Sequence, residues 1–275
     1  TNAVLDTQET LDGTGKLGTA FTTVQKNIND YDFVSVSPAA NGTFTSGTQT
    51  VNYYYKRKDV GDIVVKYVEQ GSGTELDTQT VMSGAGKSGL SYTTTPKTIT
   101  DYEVVSTTPA NHTGTYPSSG TTTVVYEYRR KTAGDIVVKY VEQGSGTELD
   151  AQTVMSGAGK SGLSYTTTPK TIADYEVVST TPANHTGTYP ATGTTTVVYE
   201  YRRKNAGDVT VHHYEQGTTT PLVPDITMSG TGKLGTPYNT TEQTIPNFTL
   251  VSTPANQNGT YTTGNQVVTY YYKRN

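Results

Sequence analysis

Residues 61–131 and 134–204 of this chain are near-copies of each other, differing only at Thr78/Ala151, Thr100/Ala173, Ser118/Ala191 and Ser119/Thr192. Asp62, Asp135 and Asp208 open successive units 73 residues apart, and Tyr92, Tyr165 and Tyr238 keep the same step. Such a chain is read as an array before anything else, because each copy must satisfy the same folding pattern with the same residues. An active site is needed once, whereas copies of a small module gain reach or avidity, so the repetition points to display over chemistry. The units are residues 1–58, 61–131, 134–204 and 207–275.

Modules of about 60–70 residues bury only about 60% of their unfolded-chain surface, and the absence of cysteine excludes a disulfide scaffold. Charged residues make up 16% of the chain, the net charge is −4 and the basic residues are scattered, so nucleic acid is not an expected partner. The one recurring basic cluster is Lys56-Arg57-Lys58, Arg129-Arg130-Lys131, Arg202-Arg203-Lys204 and Lys273-Arg274, which a solvated strand end explains. No apolar run approaches the roughly 18 residues of a membrane span, so no membrane insertion is expected.

Within one unit, Asp62–Glu69 alternates Ile63, Val65 and Tyr67 against Val64, Lys66 and Val68, the signature of a strand buried on its first face. After Gly71-Ser72-Gly73 a second strand over Glu75–Met82 completes a hairpin and stops at Gly84-Ala85-Gly86. The polar stretch 90–98 has room for one or two helical turns at 90–94. A third strand follows over 101–106, and a fourth over 121–129 sets Val124, Tyr126 and Tyr128 toward the core. The same Val-x-Tyr-x-Tyr recurs at Val51/Tyr53/Tyr55, Val197/Tyr199/Tyr201 and Val268/Tyr270/Tyr272, with Tyr54, Glu127, Glu200 and Tyr271 on the solvent side. Most of the 22 tyrosines are assigned to packing, their rings in the core and their hydroxyls at the wet edge of a thin module.

Aligning Leu5-Asp6-Thr7-Gln8 on Leu76-Asp77-Thr78-Gln79 leaves unit one without a counterpart of residues 61–71. If that strand is central, the Val51/Tyr53/Tyr55 strand has an unpaired edge, and the natural protein is expected to continue upstream. The linkers Asp59-Val60, Thr132-Ala133 and Asn205-Ala206 are short enough to favour a rod, longer than about 100 Å end to end.

Little in the chain suggests chemistry. Gly84-Ala85-Gly86-Lys87-Ser88 is not a phosphate loop, since Val81 stands where the first glycine is required, and a tight turn explains it. Glu75 and Asp77 share a strand face, but the pair is Val4/Asp6 in unit one and is gone from unit four, so an exposed acidic edge is favoured over hydrolysis or calcium. His212 and His213 are adjacent on a strand and point apart, so they do not chelate one ion. No metal, cofactor or catalytic residue is assigned.

Asp-Ile-Val-Val-Lys-Tyr-Val from Asp62, Gly84-x-Gly-Lys87, Tyr92-Thr-Thr-x-Pro96, Asp101-Tyr102-x-Val-Val-Ser106 and the closing Val124-x-Tyr-x-Tyr128 together resemble the MucBP (mucin-binding protein) repeat, over nearly the whole chain and in four copies. The resemblance implies a cell-wall-anchored surface adhesin of a Gram-positive bacterium. The implied fold is a β-rich α+β array of small β-grasp (ubiquitin-like) domains, each of about four strands with at most a short helix, arranged as an elongated rod. The implied partners are mucin glycans or other host glycoproteins, and the chain reads as a monomeric fragment of a longer wall-anchored protein. Unit one lacks a strand, and unit four departs at Val211-His212-His213-Tyr214 and over 221–224.

Under an adhesin reading the candidate ligand contacts are Asn111, His112 and Tyr116 with their copies Asn184, His185 and Tyr189, because sugars need hydrogen bonds and a ring to stack upon. Turn geometry explains the same asparagines and glycines. The alternative is a structural stalk that holds another adhesive domain away from the wall.

Overall fold

The computed structural model describes residues 3–275, and among these every regular element is a strand. The room for one or two helical turns at 90–94 is not used: Ser91–Thr93 is extended, and the class is all-β. The chain separates into two compact units, Thr1–Lys131 and Thr132–Asn275.

In the first unit, repeat one contributes β1 (Ala20–Thr22), β2 (Tyr31–Ser37), β3 (Asn41–Thr43) and β4 (Asn52–Arg57). Repeat two contributes β5 (Asp62–Glu69), β6 (Glu75–Met82), β7 (Ser91–Thr93), β8 (Tyr102–Val104), β9 (Thr113–Thr115) and β10 (Thr121–Arg130). Six strands replace the four expected. Four of them form a sheet in the order β6-β5-β10-β8, and β7 and β9 form a separate two-stranded ribbon.

The expected hairpin is present, with Ile63 opposite Met82 and Val65 opposite Thr80. The first and last strands of the repeat run parallel side by side in the middle, with Val124 opposite Val65 and Tyr126 opposite Tyr67. This register places the two most apolar stripes on one face, where Ile63, Val65, Tyr67, Val124, Tyr126 and Tyr128 are all buried. The ribbon and its flanks close that face through Tyr92, Tyr116 and Ile99. The opposite face stays open to solvent, as Tyr54 and Tyr271 show in their own repeats at 41% and 42% exposed.

The hydroxyls of the β10 tyrosines are tied down by protein partners. Tyr128 donates to the Lys97 carbonyl at 2.8 Å. Thr94 Oγ1 donates to the His112 carbonyl at 3.1 Å, so its bond with the Tyr126 hydroxyl at 3.0 Å takes the tyrosine proton. Tyrosine is therefore chosen over phenylalanine because its oxygen holds the crossover segment on the sheet. Backbone proximity fixes the glycines at the foot of the sheet: a Cβ on Gly84 would lie 2.3 Å from the carbonyl oxygens of Val60 and Gly61.

In repeat one, β1 pairs β3 and β2 pairs β4, but no strand covers the other edge of β4 among the described residues. Val51, Tyr53 and Tyr55 are only half-buried there, whereas their counterparts in repeat two are closed. The expectation of an open edge at this strand is thus what the structure contains.

The second unit repeats the plan twice. Repeat three consists of β11 (Asp135–Glu142), β12 (Glu148–Met155), β13 (Ser164–Thr166), β14 (Tyr175–Val177), β15 (Thr186–Thr188) and β16 (Thr194–Arg203). Repeat four consists of β17 (Val209–Glu215), β18 (Ile226–Met228), β19 (Pro237–Asn239), β20 (Phe248–Ser252), β21 (Asn258–Thr260) and β22 (Gln266–Arg274). Both keep the same sheet order, though β18 is shorter than β12 because Pro221 and Pro224 interrupt the ladder.

Candidate functional site

The loop that carries Asn111 and His112 is built to hold the β7–β9 ribbon against the sheet. His112 folds back on Pro109, whose carbonyl accepts its backbone N–H at 2.9 Å and meets Nδ1 at 2.8 Å. Asn111 Nδ2 donates to the Thr123 carbonyl on β10 at 2.7 Å. The two backbone carbonyls point inward, Asn111 accepting from the Tyr92 hydroxyl at 3.1 Å and His112 from the Thr94 N–H at 2.8 Å. Asn184 and His185 repeat these bonds in the third repeat, including Nδ2 to the Thr196 carbonyl at 2.8 Å.

The asparagine side chain is exposed and the histidine half-buried. In repeat four Asn256 and Gln257 fill these places, and in repeat one the carbonyl of Ala40 receives the Thr23 hydroxyl at 2.9 Å. The carbonyl duty is therefore common to all four copies, while the histidine ring is not needed for it.

The tyrosines of this cluster are placed differently from the expectation of exposed stacking rings. Tyr116 and Tyr189 are 8% and 4% exposed and belong to the cores of their repeats. Each meets a partner ring edge-on, Tyr92 and Tyr165, at 5.8 Å between centroids. In repeat three the lysine of the Gly-x-Gly-Lys turn, Lys160, lies over the Tyr189 ring at 5.1 Å and donates to its hydroxyl at 3.2 Å. Neither ring is presented to solvent, because the turn-rich neighbourhood that suggested exposure is folded under the ribbon.

The basic residues at the strand ends divide into two kinds. Arg129 and Arg202 are mostly exposed and pair with Glu103 and Glu176 at 2.7 and 2.6 Å, as a solvated strand end implies. Arg57 and Arg203 are joint residues, which corrects that reading for them. Arg57 stacks on Tyr31 at 4.6 Å, donates to its hydroxyl at 2.7 Å and reaches into repeat two to donate to the Ser88 carbonyl at 2.6 Å. Arg203 does the same with Tyr175 and the Leu234 carbonyl, at 2.6 and 2.9 Å. The backbone closes the same joints, Ser88 donating to Lys58 at 3.2 Å and Leu234 to Lys204 at 3.1 Å.

A planar fork on an aromatic ring is pre-organised for this double contact, and lysine cannot reproduce it. Arg203→Ala and Arg203→Lys are both expected to speed amide exchange at Leu234 by about tenfold or more, as loss of a charge-assisted bond of about 1.5–3 kcal/mol implies. Exchange at Leu234 unchanged in both variants would remove the arginine from the joint.

Four segments of the chain, residues 1–56, 62–129, 135–202 and 208–273, each match the MucBP domain. The chain belongs to the MucBP domain family. Its four MucBP repeats are surface-protein repeats related to the adhesin-type repeats of Gram-positive bacteria, and the location is extracellular and cell-wall-associated.

Internalin J of Listeria monocytogenes serovar 1/2a is 35% identical over 268 residues, covering 95% of this chain and 30% of that protein. Internalin J of serotype 4b (strain F2365) is 34% identical over 282 residues, covering 100% of this chain and 29% of its length. The chain therefore spans under a third of these relatives. Among solved structures, the Bacillus anthracis TIE protein aligns at 10% identity over 86% of this chain and 55% of its own, with a TM-score of 0.44. The type 2 repeat of the mucus binding protein MUB from Lactobacillus reuteri aligns at 15% identity over 53% of this chain and 100% of its own, with a TM-score of 0.20.

The acidic edge of the MucBP repeat is a structural pair. Asp77 meets Lys97 at 3.0 Å, and Lys97 lies over the Tyr67 ring at 4.5 Å. The Lys97 ammonium, followed by the Thr78 N–H, holds the Asp77 carboxyl below the usual range. Asp150, Lys170 and Tyr140 repeat the arrangement, and Asp6 with Lys26 keeps the ion pair at 3.2 Å in repeat one. Repeat four replaces all of it: Val223 stands for the aspartate, Gln243 for the lysine and His213 for the tyrosine. Sequence reading singled out the aspartates as an acidic edge and missed their partners. The signal was that the three positions change together between copies.

Proposed function

We propose that these repeats form an adhesive arm of a Gram-positive surface protein, touching mucin or related host glycoproteins through weak contacts multiplied by copy number. The contacts assigned are groups of the ribbon loop, the exposed Asn111 and Asn184 with the half-buried His112 and His185, while Tyr116 and Tyr189 support them from beneath. The observation that carries the reading is the duplication of one loop geometry in two near-identical repeats, with a histidine that the fold does not require and that alanine replaces in repeat one. Two weak sites on one chain gain affinity by effective concentration without any new contact.

The sheet order, second-first-last-third with a parallel central pair, fits the β-grasp plan, with the two-stranded ribbon in the place a helix takes elsewhere. We assign the repeats to that fold on this topology, each repeat a separate folding unit.

Surface plasmon resonance of the intact chain on immobilised mucin, before and after removal of its sugars, tests the proposal. Combining His112→Ala with His185→Ala is expected to weaken binding about tenfold and to leave unfolding stability within about 0.5 kcal/mol. Binding that survives this double change, or that ignores the sugars, would remove the loops from the ligand site. A chain that binds no mucin supports the stalk instead, a reading favoured by the arginine contacts that fix the joints at Arg57 and Arg203.

A further inference from the structure

The first and last strands of repeats two, three and four are neighbours, and they run parallel: β5 beside β10, β11 beside β16 and β17 beside β22. The chain enters such a repeat at the start of one strand and leaves it at the end of the other. In a parallel pair those two points lie at opposite ends of the ladder. Tension along the chain therefore draws the two strands past each other, and the ladder bonds, which lie across the pull, are loaded together. In an antiparallel pair, entry and exit would sit side by side, and the same tension would open the bonds one at a time.

In repeat two this ladder lies in the middle of its sheet, with β6 along β5 and β8 along β10, so both strands are held on their far edges as well. Its buried face sets Ile63, Val65 and Tyr67 against Val124, Tyr126 and Tyr128, with the Tyr67 and Tyr126 rings stacked across the ladder at 6.2 Å. Because side chains alternate, a slip of one residue would turn that whole apolar set outward, and the next matching register is two residues, about 6.6 Å, away. Backbone bonds prolong the ladder at both ends: the Gly61 N–H donates to the Pro117 carbonyl at 2.9 Å and the Gln70 N–H to the Tyr128 carbonyl at 2.8 Å. Repeat three has the same two bonds, Gly134 to Pro190 at 2.7 Å and Gln143 to Tyr201 at 2.8 Å.

We propose that this parallel ladder is a load-bearing clamp, which lets each of these repeats hold tension along the chain without opening. The function is separate from ligand contact and serves an adhesive arm and a stalk alike. It also ranks the repeats. Repeats two and three have clamp strands of the same sequence, Asp62–Glu69 with Asp135–Glu142 and Thr121–Arg130 with Thr194–Arg203, and open at the same force. Repeat four opens at a lower one. There β17 has 7 residues against 8 in β5, and its flanking β18 has 3 against 8 in β6. The buried His213, with neither ring nitrogen bonded, stands in place of the Tyr67 ring.

Single-molecule force spectroscopy of the intact chain tests the clamp, and the absence of cysteine lets introduced thiols set the direction of pull. Asp59→Cys with Lys131→Cys pulls repeat two along its ladder. Asp59→Cys with Ser119→Cys pulls at the starts of β5 and β10 and peels the same bonds apart. The rupture force is expected to be higher along the ladder by about twofold or more, since forced opening follows the barrier on the path taken and not the equilibrium stability. Rupture along the ladder should release residues 62–130 in one step, roughly 230–250 Å of extended chain less the folded span. Pulled by its ends, the chain should give two events of equal force from repeats two and three and a weaker one from repeat four. Equal forces in the two directions would reduce the ladder to ordinary stability and overturn the proposal. Release of repeat two in several smaller steps, or rupture of repeat four at the highest force, would overturn it as well.

Discussion

Tyr126→Ala is expected to destabilise repeat two by about 3–5 kcal/mol. The ring is 0% exposed, lies parallel to Tyr67 at 6.2 Å and 11°, and sends its hydroxyl to Thr94 at 3.0 Å. Truncating a buried aromatic costs about 3–5 kcal/mol. A module of this size has on the order of 4–10 kcal/mol in total, so the variant loses from about a third of its stability to all of it. Hydrogen exchange should show β5 and β10 losing protection together, because their parallel ladder has no support once the stacked pair is gone. Tyr126→Phe separates ring from hydroxyl. It keeps the stack, and Thr94 still has the His112 carbonyl, so a loss of only about 1 kcal/mol is expected. Equal losses in the two variants would mean that the hydroxyl network, not the buried ring, holds the repeat.

What the sequence made legible was the facing of the long strands. Alternation in Asp62–Glu69 and in 121–129 told which side of each strand is buried, because a pleated strand has a period of two and the buried set is apolar. Alternation does not tell which strand lies beside which, and the parallel pairing of the first and last strands was not read from it. The ribbon of Ser91–Thr93 with Thr113–Thr115 was missed because three-residue strands rich in threonine and glycine look like turns. Exposure of Tyr116 was inferred from those turns, and fails for the same reason. A better signal lay in comparison between copies: Tyr92 and Tyr116 become Phe21 and Phe44 together in repeat one, where the two rings again touch at 5.3 Å. The ring-stacked arginines carried a similar mark, since an aromatic, Tyr31, Tyr102, Tyr175 or Phe248, precedes Arg57, Arg130, Arg203 and Arg274 respectively by a nearly fixed interval and lies under the guanidinium.

Repeat four should lose stability in acid at a higher pH than repeats two and three. His213 takes the place of Tyr67, is 0% exposed, and stacks on Tyr270 at 5.3 Å and 9°. Neither ring nitrogen has a hydrogen-bond partner. Burial pushes its pKa below the ordinary imidazole value; the Thr241 backbone and the Asp225 carboxylate favour the cation, His212 opposes it, and burial outweighs the first two. The unfolded chain therefore binds the proton first as pH falls below about 6.5. Stability is complete above that pH and declines toward the lower folded pKa, with a slope of at most about 1.4 kcal/mol per pH unit. Asp77 and Asp150 have lowered pKa values instead, so the contribution of their ion pairs is lost only in the carboxylate range.

His213→Phe keeps the stack, removes both unpaired nitrogens and takes the proton away. It is expected to raise the stability of repeat four by about 1–3 kcal/mol at neutral pH and to flatten its dependence between pH 7.5 and 5. Restoring the tyrosine alone should gain less, because the Tyr67 hydroxyl meets Thr80 at 3.0 Å whereas Ile226 stands at that place in repeat four. His213→Tyr with Ile226→Thr should recover the difference. Denaturant melts followed by exchange in Val209–Glu215 read these changes where they occur. An acid slope that persists in His213→Phe would refute burial of this imidazole as the cause.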